Sequence, residues 1–136
     1  MADQDPLIVA GSRDAVTQLW ATARGTEVAA AALAARRGFD NDLRFTVAAS
    51  HCGEAADELQ RAHSDVGDTA NVRGYAVDFR VAPIDEATGA LLVALAEAIA
   101  SFDVDDPRLT PADLLAAGTA ATWLAMAYHA ISGRLP

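Results

Sequence analysis

The sequence predicts a mainly α fold, a four-helix bundle with a crossover and a short β-ribbon, on three observations. Apolar residues recur at steps of three and four along four long segments. Residues that start and stop helices stand at the segment ends, and one short stretch alternates with the period of a strand. With 136 residues and no low-complexity break, a single helical domain over residues 1–136 is expected, able to bury its core without a disulfide or metal staple.

The first helix is expected from about Arg13 to Arg37. Ser12 would cap it, Asp14 would sit in its positive first turn, Arg36 and Arg37 in its negative last turn, and Gly38 would supply the left-handed stop. Val16, Leu19, Trp20, Ala23, Ala31 and Ala34 are its expected core face.

Residues 43–66 carry two patterns at once. Leu43, Phe45, Val47 and Ala49 alternate like a strand, whereas Phe45, Ala49, Cys52, Ala56, Leu59, His63 and Val66 trace one helical face across Gly53. The longer pattern predicts a helix from about Asp42 to Val66, capped by Asp40 or Asn41 and broken or bent near Gly53. The alternative is an α+β domain with strands near 43–49 and 75–81.

Tyr75, Val77, Phe79 and Val81 alternate strictly with Ala76, Asp78 and Arg80, the pattern of a strand with one buried face. A lone strand leaves its backbone unpaired, so a ribbon with Leu7 to Ala10, or with a second copy of the chain, is expected.

The third helix should begin at Asp85 after Pro83 and run to Ser101 or Phe102. Its stripe is Leu91, Leu95, Ile99 and Phe102, widened by Leu92, Val93 and Ala96. An acidic linker follows. Thr110, Pro111, Ala112 and Asp113 then open the fourth helix with a cap, a proline at the first helical position and an acidic residue reaching back, and Gly133 ends it. Between Leu114 and Ser132 no residue carries a formal charge, a length at which a membrane span is weighed. Its Ala, Gly and Thr content gains little in hydrocarbon, so a helix buried by its own domain or a partner subunit is expected, with Gly118, Ala121 and Ala125 as the close-contact stripe.

Net charge of −9 and a pI near 4.5 disfavour nucleic acid and anionic lipid, which need a positive footprint. Ten arginines without a lysine, beside abundant alanine, is a bias associated with GC-rich bacterial genomes. Cys52 is the only cysteine, which excludes an internal disulfide and any multi-cysteine zinc site and suggests a reducing, cytoplasmic home. The acidic N-terminus does not read as a secretory signal.

Among groups that could carry chemistry, His51, Glu54 and Glu58 share one side of the second helix at metal-ligand spacing, though the solvated-face reading, with Arg61 offsetting Glu58, is simpler. Cys52 falls on the core face, where a thiol behaves as a small hydrophobe. His63, Tyr128 and His129 sit near helix ends that could meet, forming an acid/base pocket beside Trp20 or Trp123. No phosphate loop, nucleophile elbow, zinc-protease helix or kinase signature is present, and no cofactor is implied.

These residues are expected to serve a non-catalytic protein-interaction or assembly module, a homodimer, because the last two helices are apolar on more sides than one bundle can cover. The competing expectation is a small cofactor-independent enzyme or apolar ligand carrier using the pocket near His63, Tyr128 and His129.

Overall fold

The computed structural model describes residues 6–38, 42–62, 77–101, 105, 107 and 109–133, with the side chains of the first helix described from Ala15 onward. Among the described residues, four helices make up the mainly α fold: α1 Pro6–Arg37, α2 Leu43–Ala62, α3 Ile84–Ala100 and α4 Pro111–Ser132. There is no strand among the described residues.

α1 begins seven residues before the expected Arg13. Pro6, whose ring fixes φ and whose missing N–H a first turn does not need, opens the helix, and Leu7–Ala10 and Ser12 lie inside it. Ser12 is therefore no cap and Leu7–Ala10 no strand. The far end is as expected, with Gly38 at φ 81° after Arg36 and Arg37. Val16, Leu19, Trp20, Ala23 and Ala34 are buried, but Ala31 faces water while Ala30 and Leu33 turn inward.

α2 is one unbroken helix through Gly53, which corrects both the expected break and the alternative strand at 43–49. Asp42 caps it. Its Oδ1 accepts from the Arg44 backbone N–H at 3.2 Å, in the role expected of Asp40 or Asn41, two residues outside the described set. Arg44 and Arg37 also donate to this carboxylate and hold its pKa well below the usual carboxylate range. Phe45, Cys52, Ala56 and Leu59 are buried as the helical pattern required; His63 and Val66 lie outside the described residues.

Tyr75 and Ala76 also lie outside, but Val77–Ala82 form a turn and not a strand. The Asp78 carbonyl accepts from the N–H groups of Val81 and Ala82, and its carboxylate from that of Arg80, so local bonds satisfy backbone that a ribbon would have paired. Phe79 is buried, Val81 is 75% exposed, and Arg36 donates to the Phe79 carbonyl at 2.9 Å, tying the turn to the end of α1.

α3 starts with Asp85 and Glu86 in its first turn and ends at Ser101, close to expectation. Leu91 and Leu95 are buried, whereas Val93 is 58% exposed and Ala96 also faces water; Phe102 lies outside the described residues. In α4 the expected start is present in full. Thr110 Oγ1 accepts from the Asp113 N–H at 3.1 Å, and Asp113 Oδ2 accepts from the Thr110 N–H at 3.2 Å. Gly133 ends the helix at φ 73°. The buried stripe is Ala116, Ala117, Ala120, Leu124, Ala127 and Ile131; the expected Gly118, Ala121 and Ala125 are only half-buried, because Leu124 and Ile131 set which side faces inward.

The helices form a bundle. α2 lies between α1 and α4, α3 packs on α4 and α1, and α2 and α3 do not touch among the described residues. Arg24 reaches Asp57 and Arg37 reaches Asp42, so α1 and α2 run antiparallel. Arg44 reaches the Ile131 carbonyl while His51 meets Trp123, so α2 and α4 do too. Alanines buried at 0% exposure, among them Ala23, Ala30, Ala48, Ala55, Ala120 and Ala127, alternate with Leu33, Phe45, Leu59, Leu91 and Leu124. Such small residues let helix axes approach to about 8 Å, the near end of the usual range. The crossover expected between the second and third helices would run through residues 63–76, outside the described set.

Candidate functional site

Among the described residues, the aromatic and imidazole side chains make separate contacts. α2 and α4 run side by side, and this brings His51 onto Trp123 with ring centroids 5.3 Å apart and planes 30° from parallel. Tyr128, half-buried, meets His129 edge-on at 5.7 Å. Trp20 is buried in α1 with the Arg24 guanidinium 5.9 Å above its ring. Of the expected pocket, Tyr128 and His129 are thus in contact, Trp20 and Trp123 have other partners, and His63 lies outside the described residues.

Three of these side chains carry a buried nitrogen without a hydrogen-bond partner: Trp20 Nε1, His51 Nδ1 and His129 Nδ1. Leaving such an atom unpaired costs ~1–3 kcal/mol. The sequence could not show this, since spacing gives a residue's side of a helix but not the helix it will face.

The metal-ligand reading of His51, Glu54 and Glu58 meets a different arrangement. His51 stacks on Trp123, Glu54 is exposed, and Glu58 pairs with Arg61 one turn on. No cluster of three metal-ligating side chains occurs among the described residues. Cys52 is fully buried, and burial pushes its thiol up to about 11, the neighbouring Thr26 hydroxyl opposing and Glu27 adding to the rise. Such a thiol is protonated and sheltered, the reverse of an activated nucleophile.

Two surface features remain. Between α1 and α3 a groove of about 350 Å³ is lined by Ala15, Gln18, Leu19, Thr22, Glu97, Ala98 and Ser101. The outer face of α4 carries Leu115 at 74% and Met126 at 40% exposure, with Thr122 between them. On α2, Leu43 at 59% and Val47 at 40% also stand in water, and Glu54 is exposed further along the helix. α4 is the only helix among the described residues long and apolar enough to cross a bilayer, and 33% of its most apolar window is buried.

No protein family matches the chain, and neither does any curated protein or solved structure.

Proposed function

We propose that the chain is a non-catalytic assembly module that pairs with a second copy of itself through the outer face of α4 and the first turns of α2. One observation carries the reading: large apolar side chains stand in water on a face whose α4 part bears no formal charge, in a chain of net charge −9. Two such copies repel except where they can meet on uncharged surface, and Leu43, Val47, Leu115 and Met126 supply it. The α4 rod is roughly 33 Å long and about 10 Å wide; with the turns of α2 beside it the face offers on the order of 500 Å² per copy. That is the lower end of specific interfaces, so the dimer is weak and concentration-dependent.

In this reading the connection from α2 to α3 crosses the bundle. α2 and α3 are diagonal partners, and the Arg36–Phe79 bond holds the segment before α3 at the end where α2 begins. The working place is the reducing cytoplasm, and membrane and nucleic acid are not the partners.

A second reading, a small-molecule pocket beside Tyr128 and His129, draws on the unpartnered buried His129 Nδ1. Native mass spectrometry over a concentration series separates the two. A dimer that grows with concentration and is abolished by Leu115→Glu with Met126→Glu, the helical circular dichroism being kept, supports assembly. A monomer at all concentrations refutes it, and a monomer carrying a retained small molecule favours the pocket.

A further inference from the structure

Three exposed side chains of α4 fall in one line. Leu115, Thr122 and Met126 lie within about 40° of one another around the helix, at 100° per residue. Thr122 Oγ1 donates to the Gly118 carbonyl at 3.0 Å, so the hydroxyl hydrogen in the middle of the line is already placed within its own helix. The line therefore reads much the same from either end, with a large apolar residue on each side of a threonine.

The flanks differ in charge from end to end. Arg44 reaches the Ile131 carbonyl and His51 stacks on Trp123, so the beginning of α2 lies beside the end of α4, and the later turns of α2 lie beside its beginning. Among the described residues, Arg37 and Arg44 gather about the single carboxylate of Asp42 at the first of these places. Glu54 and Glu58 stand at the second, where Arg61 pairs with Glu58. Glu58 is about 20° from His51 around α2, hence on the side that meets α4. The dipole of α4 adds a positive beginning and a negative end.

From this polarity we infer that the two copies pair their α4 helices antiparallel, about a two-fold axis crossing near Thr122. Leu115 of each copy then packs on the partner's Met126, and the Arg44 end of each α2 faces the partner's Glu54 and Glu58. The inference rests on the assembly reading above and gives it an orientation. A two-fold axis perpendicular to the helices leaves both α2 helices on the same side of the α4 pair, facing each other across it; an axis along the helices sends them to opposite sides. Only the perpendicular axis brings the arginines of one α2 toward the carboxylates of the other and opposes the two α4 dipoles. A parallel pair sets like ends side by side.

The test uses the full chain, a short bis-maleimide and three single variants, Leu115→Cys, Thr122→Cys and Met126→Cys. Cys52 is buried in the core and stays, with the unsubstituted chain as the blank and as the sample for native mass spectrometry. Thr122→Cys keeps both large apolar residues and should cross-link to itself whenever the α4 faces meet. In the antiparallel pair the two Leu115 positions are about 21 Å apart, seven residues of 1.5 Å rise on each side of the axis. Leu115→Cys alone is therefore expected to link weakly, and its equimolar mixture with Met126→Cys roughly tenfold more, helical circular dichroism being kept. A mixture that gains nothing over Leu115→Cys alone, while Thr122→Cys links, would overturn the orientation and leave the assembly reading standing. A chain monomeric at every concentration, or a dimer in which Thr122→Cys does not link, would overturn both.

Discussion

The Glu27 carboxylate of α1 lies over Gly53 of α2, so close that a Cβ built on the glycine would stand 2.6 Å from Glu27 Oε2. The same carboxylate accepts from Arg24, which also reaches Asp57 on α2. Glycine in mid-helix thus makes room for an ion-pair clasp between two helices.

Replacing this glycine sets two effects against each other. Gly→Ala in a helix interior gains about 1 kcal/mol of propensity, while displacing Glu27, a flexible side chain 34% exposed, loses part of a surface pair worth ~0.5 kcal/mol. Gly53→Ala is expected to stabilise by roughly 0.5 kcal/mol in urea unfolding, and by about 1 kcal/mol when Glu27 is already alanine. Additive single and double variants would show that the carboxylate does not sense this position.

Cys52 makes stability depend on alkaline pH. Its folded pKa, about 11, exceeds the ordinary value of 9.0, so below pH 9 the thiol is protonated folded or unfolded and its contribution is complete. Between pH 9 and 11 the unfolded chain ionises first, and on the order of 2–3 kcal/mol is lost. Cys52→Ala should lack this component of the decline in denaturant titrations across that window. The native thiol should also resist Ellman's reagent at pH 8 and react once urea unfolds the chain.

Asp42 acts in the opposite direction. Its folded pKa is depressed, chiefly by the hydrogen bonds from Arg44, so its contribution is present above the ordinary carboxylate pKa of 3.8 and is lost as pH falls below it. Asp42→Ala should lower the Tm at pH 7 and flatten the acid limb of the stability profile. Asp42→Asn, which can still cap α2, should lower the Tm less.

The His51–Trp123 stack is expected to couple α2 to α4. A double-mutant cycle with His51→Ala and Trp123→Ala should return about 0.5–1.5 kcal/mol of interaction energy, measured by urea unfolding at pH 7. A cycle that closes at zero would mean that the rings touch without stabilising the seam.

Legibility from sequence followed the range of the forces. The start of α4 was readable because Thr110, Pro111 and Asp113 act on one another within a single turn. The end of α1 was readable for the same reason, since Gly38 needs no distant partner. The described part of the supposed strand at 75–81, from Val77 on, is a turn because apolar alternation describes which residues want burial, not where the backbone finds its hydrogen bonds; Asp78 supplies those locally. The exposure of Val93 and Leu115 and the pairing of His51 with Trp123 depend on which helices become neighbours, which no single helix encodes. For the candidate groove, Glu97 and Gln18 are unremarkable surface residues until α1 and α3 place them on opposite walls.

The placement of α2 between α1 and α4 also bears on how the chain reaches this arrangement. The α1–α2 hairpin joins segments separated by a five-residue link, 38–42, so its closure costs little entropy and it can form early. The α2–α4 seam joins residues as distant as Arg44 and Ile131, and its formation must gather the whole intervening chain. Docking of α4 is therefore the step expected to limit folding, and stopped-flow refolding of variants along that seam should show larger losses of rate than equally destabilised variants within the hairpin.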